Sequence, residues 1–112
     1  MHYYYNVAII LSEECYYSLK FDNFYNEIRE FLDTADQEMK RSGQRLYYWT
    51  RFDKNKQENI GYLYLDSFLK AYPEIHYYKI VLGEYVDDIE LSGNLTHNAF
   101  NLRLVKEIAF EK

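Results

Sequence analysis

The chain has 112 residues, of which 48% are hydrophobic and 20% aromatic, and its net charge at pH 7 is −5. This composition excludes a disordered chain, and the acidic charge disfavours nucleic acid as a partner, because binding to a phosphate backbone needs clustered Lys and Arg. We expect a single α+β domain over residues 1–112, with no apolar run long enough to span a membrane.

Fourteen residues are tyrosine, and many of them are neighbours in the chain. Tyrosine combines a large apolar ring with a polar hydroxyl, so it suits both a core and a contact surface. Because adjacent residues of a strand point to opposite faces of a sheet, we expect about half of each cluster to lie outside the core. An exposed aromatic surface of this kind is typical of protein–protein interfaces.

The first predicted element is a strand over residues 3–11. Its run from Val7 to Leu11 is apolar at every position, which predicts a central strand that is buried on both faces. Residues 15–20 fit either a short strand or an irregular segment, and both interpretations stay open.

A long amphipathic helix is predicted over residues 22–41. Apolar side chains recur at spacings of three and four from Phe21 to Met39, which places them on one helical face. Asp22 is the expected N-cap, and Gly43 is expected to end the helix. The outward face carries acidic residues: Glu27, Glu30, Asp33 and Asp36.

Two strands are predicted next, over residues 45–53 and 60–65. In the first strand the side chains alternate with a period of two, so that they point in turn to the two faces of the sheet. A polar loop separates it from the second strand. We expect the pair to form a hairpin. Asp66 then caps a predicted short helix over residues 66–72, which Pro73 ends.

The remaining residues are predicted to be strands. One covers residues 76–85, and a short return strand over residues 89–91 follows an acidic bend. In residues 99–110 a helix would scatter the apolar side chains around its circumference, whereas a strand places five of them on one face. These five are Phe100, Leu102, Leu104, Ile108 and Phe110. We therefore predict a strand there, with a helix as the alternative, because Lys and Glu suit helices.

The predicted order is strand, helix, strand, strand, helix, strand, with one or two extra C-terminal strands. The first six elements resemble the split β-α-β arrangement of ferredoxin-like domains, which have an antiparallel sheet. This fold carries many functions, so the resemblance predicts an architecture rather than an activity.

No catalytic or cofactor-binding motif is present. Cys15 is the single cysteine and follows two glutamates that would raise its pKa, so we expect a structural role for it. A single cysteine and the absence of a signal-peptide pattern predict a cytoplasmic protein. The three histidines lack metal-ligand spacing, although an acid–base pair of His97 with Asp87 or Asp88 stays open. We expect no cofactor, no metal and no enzymatic activity.

Two groups of residues are the candidate partner-binding site: the aromatic hairpin and the acidic turn. Their members are Tyr47, Trp49, Tyr62, Tyr64, Glu84, Asp87, Asp88 and Glu90. Aromatic side chains inside an acidic rim indicate a small stoichiometric inhibitor or antagonist of another protein. A nuclease with a basic surface is the expected kind of target, as for toxin-immunity or phage anti-defence proteins.

Two other functions stay open. The first is a dimeric α+β barrel, in which sheets of two copies pair and an aromatic-lined cleft binds a small molecule. The second is binding of single-stranded RNA on the sheet face, because Gly61-Tyr62-Leu63-Tyr64 resembles the base-stacking aromatics of RNA recognition motifs. The segment lacks the leading basic residue of that family, and the first predicted helix is longer than the family has.

Overall fold

The computed structural model describes residues 4–53, 60–85, 87–104 and 108–110. Its helices and strands follow in the order β1 (Tyr5–Ser12), α1 (Glu13–Leu19), α2 (Tyr25–Leu32), β2 (Gln37–Arg41), β3 (Gln44–Phe52), α3 (Ile60–Lys70), β4 (Tyr77–Leu82), β5 (Ile89–Gly93), β6 (Leu102–Leu104) and β7 (Ile108–Phe110). A 3-10 turn over Glu74–His76 precedes β4. No helix in these ranges is long and apolar enough to cross a membrane.

Five of the strands form an antiparallel sheet in the order β2-β3-β1-β4-β5. β1 lies in the centre, where Ile9 is opposite Tyr47 of β3 and Lys79 of β4. The α+β class, the antiparallel sheet and the central position of the first strand are thereby confirmed. β5 continues the sheet beyond β4, so the five-strand order differs from that of a four-stranded ferredoxin-like sheet.

Both faces of the central strand are buried. Val7, Ile9 and Leu11 pack in one hydrophobic cluster with the side chains of the three helices. Ala8 and Ile10 pack in a second cluster with residues that follow β5. A strand covered on both sides needs apolar residues at every position, which explains the uniform run in β1.

The single helix predicted over residues 22–41 is wrong. α2 ends at Leu32, the hydroxyl of Thr34 donates to the carbonyl of Phe31 at 2.6 Å, and the chain continues into β2. Ser42 and Gly43, with φ of 51° and 73°, join β2 to β3. A left-handed backbone at both residues of a two-residue turn matches the twist of a hairpin. Gly43 thus belongs to a hairpin turn and does not end a helix.

The strand predicted over residues 60–65 and the short helix over residues 66–72 are one helix, α3. Tyr62, Leu65 and Leu69 recur at spacings of three and four, and all three are buried. An apolar run as short as residues 60–65 fits a strand or a buried helix, and here the spacing of the buried residues favours the helix. The predicted hairpin is therefore wrong, because β3 pairs with β2 and β1 instead.

Residues 15–20, which were open between a strand and an irregular segment, lie largely in α1. This helix begins directly after β1, and the Ser12 hydroxyl caps it by accepting from the Cys15 amide at 3.1 Å. The serine hydroxyl satisfies an amide that has no partner within the first helical turn.

The C-terminal residues cover the second face of the sheet. β6 and β7 pair with one another, which confirms the choice of strand for those parts of residues 99–110; residues 105–107 lie outside the described residues. The Asn98 side-chain oxygen accepts from the amides of Phe100, at 3.2 Å, and Leu102, at 2.9 Å. This buried amide holds the turn that directs Phe100 and Leu102 against the sheet.

Candidate protein-binding surface

Three of the four predicted aromatic contact residues lie in the core. Tyr47, Trp49 and Tyr62 are each no more than 5% exposed, and Trp49 stacks on Phe31 of α2 with 4.5 Å between ring centroids. The prediction that they form an exposed hairpin surface is wrong, because residues 60–65 are helical and the sheet face of β3 lies under the helices. Tyr64, on the other side of α3, keeps part of its ring exposed.

The acidic turn between β4 and β5 is accessible only in part. Glu84 and Asp87 are exposed, whereas Asp88 and Glu90 are half-buried. Backbone hydrogen bonds of Gly83 and Tyr85 with Asp88, at 2.8 and 3.0 Å, close the turn. Within the described ranges no three His, Cys, Asp or Glu side chains are grouped so that they could hold a metal ion. Partner binding by these residues stays a prediction.

Glu90 also takes part in a buried network around Lys79. The Lys79 side chain is 1% exposed, and its Nζ donates to a carboxylate oxygen of Asp66, to Glu90 at 3.3 Å and to the Tyr62 hydroxyl at 3.3 Å. Burial alone would lower the pKa of Lys79, but these partners outweigh burial and raise it. The network therefore joins α3 to β4 and β5 through a buried, protonated amine.

Cys15 and His97 are the other two side chains that sequence reasoning singles out for chemistry. Cys15 is fully buried, and burial together with the nearby Glu14 raises the pKa of its thiol to about 12, in line with the predicted structural role. His97 is exposed in the loop between β5 and β6. Its pairing with Asp87 or Asp88 stays a prediction.

Two exposed phenylalanines lie on the helical layer, at the segment between α1 and α2. Phe21 is 89% exposed and Phe24 is 44% exposed. Phe24 forms one wall of a cavity of about 470 Å³ that opens between this segment and α3. We call this cavity the aromatic groove; its lining includes Phe24, Tyr64, Phe68 and Tyr72, with the polar side chains of Asp22 and Ser67.

The walls of the aromatic groove are held by hydrogen bonds and ring contacts. The Phe24 amide donates to the carboxylate of Asp22 at 2.9 Å, which fixes the backbone before α2. The hydroxyls of Ser18 and Tyr72 are 3.1 Å apart and connect α1 to the residues after α3. Phe68 stacks on Tyr72 with 5.3 Å between centroids. A surface that is ordered before binding loses less conformational entropy when a partner arrives.

The negative charge of the chain is concentrated in the segment that contains α1 and α2. Residues 13–36, which contain α1 and α2, carry seven acidic and two basic side chains, a net charge of −5 that equals the charge of the whole chain. The other residues balance, with eleven acidic and eleven basic side chains. Five of the seven acidic residues are exposed: Glu13, Glu14, Glu30, Asp33 and Asp36. The part of the helical layer formed by α1 and α2 is therefore acidic, and Asp22 between these helices lines the aromatic groove.

Sequence reasoning missed Phe21 and Phe24 as surface residues because their spacing assigns them to the buried face of a long helix. The available signal was the polar pair Asp22-Asn23, which separates α1 from α2. Asp and Asn favour turns and caps over helix interiors, since their side chains bond to nearby backbone amides.

The opposite face of the sheet is packed against Phe100, Leu102 and Ile108. The dimeric barrel and the RNA-binding hypothesis both require an open sheet face, and Gly61 to Tyr64 lie on α3 instead of a strand. The chain matches no protein-family model, no curated protein and no solved structure.

Proposed function

We propose that this protein binds another protein that has a basic surface, and that it acts by occupying that surface. The observation that carries this proposal is the aromatic groove beside a helical layer with a net charge of −5 over residues 13–36. Aromatic side chains provide large contact areas at low conformational cost, and complementary charge accelerates association.

A stoichiometric inhibitor or antagonist of the toxin-immunity or phage anti-defence kind is the class that these features favour. A nuclease presents a basic groove to its substrate, and an acidic protein can cover that groove in place of the phosphate backbone. We place this interaction in the cytoplasm and assign no enzymatic reaction to the chain.

We also infer that the first four strands form a ferredoxin-like unit. In support, β2-β3-β1-β4 are neighbours in that order, with helices in the connections from β1 to β2 and from β3 to β4. In this description β5 and the C-terminal strands are additions that leave the helical layer as the open side of the domain.

Photo-crosslinking in the native host tests the proposed binding surface. A photoreactive phenylalanine analogue would replace Phe21 or Tyr64 in the groove region, or Tyr85 as the control. Tyr85 is an aromatic residue that is 68% exposed and lies between β4 and β5. We expect one dominant crosslinked protein, with a basic surface, from positions 21 and 64 and a much weaker product from position 85. Equal products from all three positions, or none from the groove, would overturn the proposal.

Affinity measurements with the purified partner then test the aromatic groove and the acidic helices separately. Phe24→Ala removes a central ring, and we expect about 30-fold weaker binding, the effect of losing a contact worth about 2 kcal/mol. Glu30→Lys with Asp33→Lys changes the acidic surface, and we expect slower association and a weaker dependence on salt. Unchanged association rates in the lysine variant would contradict the role of the acidic helices.

A further inference from the structure

A second concave site lies at the end of the sheet where β1 begins and β3 and β4 end. It encloses about 410 Å³ and is lined by Tyr4, Asn6, Arg51, Leu82, Gly83 and Glu84. We call it the Arg51 pocket. Its volume falls in the range of about 300–1,000 Å³ that is typical of small-molecule sites. Among the described residues, it shares none of its lining with the aromatic groove.

A β-bulge places Arg51 at this pocket. Tyr5 pairs with Phe52 and Val7 pairs with Trp49, so that Thr50 and Arg51 together stand opposite Asn6. Two residues opposite one is the arrangement of a bulge, which bends the strand and redirects a side chain. Bulges of this kind are frequent beside functional sites.

The backbone of Arg51 is strained. Its φ is 54°, a left-handed conformation that glycine adopts freely and that crowds the Cβ atom of any other residue. A bulky charged residue in this conformation, at the wall of a pocket, indicates that its side chain has a role that glycine would not fulfil.

In the part of the chain that the structure describes, the side chains of the pocket offer one group of each charge. The guanidinium of Arg51 lies over the Tyr4 ring, 4.9 Å from the ring centroid. The ring therefore contacts one flat face of the guanidinium. Its N–H groups lie in the guanidinium plane, and they match the two oxygens of a carboxylate. Glu84 lines the same pocket and would attract an ammonium group, while Asn6 supplies both a donor and an acceptor.

We propose that the Arg51 pocket binds a free amino acid, with the carboxylate at Arg51 and the ammonium group toward Glu84. A phosphate dianion also suits a guanidinium, but Glu84 and the negative net charge of the chain oppose it. The half-buried side chain of Leu82 gives the ligand an apolar contact beside the charged groups.

Nuclear magnetic resonance of the full chain labelled with nitrogen-15 tests this site. L-alanine, L-glutamine and L-phenylalanine would be titrated separately, with acetate and inorganic phosphate as comparison ligands. We expect saturable shifts of the Asn6 and Gly83 amides with at least one amino acid, and binding of acetate and phosphate about tenfold weaker or less. The absence of saturable shifts with all three amino acids, or equal affinity for acetate or phosphate, would overturn the proposal.

Arg51→Gly provides the decisive variant, because it removes the guanidinium and relieves the backbone strain together. We expect it to fold with unchanged or higher stability and to lose the saturable shifts. Asn101→Gly is the matched control, since Asn101 has a φ of 50° outside the pocket and its replacement should leave binding intact. Arg51→Lys keeps the charge without the planar fork, and we expect about tenfold weaker binding. Full binding by either Arg51 variant would refute the assignment.

Discussion

The ring of Phe24 lies parallel to the ring of Tyr64, with 3.9 Å between the centroids and 3° between the planes. Phe24 comes from the segment between α1 and α2, and Tyr64 comes from α3, so this contact connects two separate parts of the helical layer. Phe21, three residues earlier, is almost fully exposed. One phenylalanine therefore forms a wall of the groove, while the other extends into solvent.

This difference predicts different effects on stability. Phe24→Ala should lower the free energy of unfolding by about 1 kcal/mol, because it removes a stacked aromatic pair. Phe21→Ala should change it by less than about 0.5 kcal/mol, as for most surface substitutions. Urea denaturation of the two variants measures both values. Equal losses would show that the Phe24 ring does not support the groove.

The Lys79 network predicts how stability depends on pH. Burial would raise the pKa of Asp66, but hydrogen bonds from Lys79 and Lys70 outweigh burial and lower it. Asp66 therefore stabilises the fold above its unfolded pKa of about 3.9, and the contribution is lost as pH falls through the lower folded pKa. Because the pKa of Lys79 is raised, Lys79 also stabilises the fold. This stabilisation is complete below about pH 10.4 and is lost as pH rises through the folded pKa. We expect the contribution of the network to the free energy of unfolding to stay constant between these two pH limits.

Asp66→Asn tests the network directly. The variant leaves Glu90 as the partner carboxylate of Lys79 among the described residues, so we expect a loss of about 3 kcal/mol at neutral pH. The acid side of the stability profile should become flatter, because the titrating carboxyl group is gone. Lys79→Met serves as the comparison, since it removes the buried charge and should flatten the alkaline side. Thermal unfolding over a pH series checks both variants, and an unchanged acid profile in Asp66→Asn would rule out this explanation.

Close packing of α2 against α3 predicts an unusual effect of alanine at Gly61. A Cβ atom there would overlap the carbonyl oxygen of Glu27 and lie 2.7 Å from the Cβ of Phe31. Alanine is normally favoured over glycine in a helix by about 1 kcal/mol, but overpacking against a backbone atom costs about 1–3 kcal/mol. We expect Gly61→Ala to be destabilising in urea denaturation. Leu63→Ala, at an exposed position of the same helix, is the control, and a more stable Gly61→Ala would disprove the close approach.

The buried thiol of Cys15 predicts low reactivity in the folded state. Because its pKa is raised to about 12, almost no thiolate forms at about pH 8, where an ordinary cysteine reacts. A disulfide reagent that releases a coloured thiol should therefore react slowly with the native protein and at once with the protein in denaturant. Rapid reaction of the native protein would mean that α1 opens readily.

Some of this structure is encoded locally and was predictable from sequence. The uniform apolar run of β1 indicates a strand with two covered faces, and the glutamates before Cys15 indicate a weakly acidic thiol. In residues 60–65 the error arose because a short apolar segment fits both a helix and a strand. In residues 37–41, which are polar apart from Met39, it arose because Met39 continues the helical spacing of the preceding apolar residues. For β2 and β3 the better signal was Ser42-Gly43, a dipeptide typical of turns.

The buried network and the Arg51 pocket have no local signature. Lys79 meets Asp66 and Glu90, and Arg51 meets Tyr4, only because the sheet and α3 bring distant residues together. A lysine between apolar residues of a strand does not reveal its partners, and a bulge depends on the register of two strands that are far apart in the chain. Pairings of this kind follow from the tertiary structure.

The central position of β1 has a consequence for synthesis. Ile9 pairs with Tyr47 and Lys79, so both neighbours of β1 are made after it. The hairpin of β2 and β3 can close within microseconds through its two-residue turn, and it then provides the first edge on which β1 can pair. Until the hairpin has been synthesised, the nascent chain exposes β1 as an apolar, β-prone segment without a partner strand. We expect the risk of aggregation to be greatest during this interval.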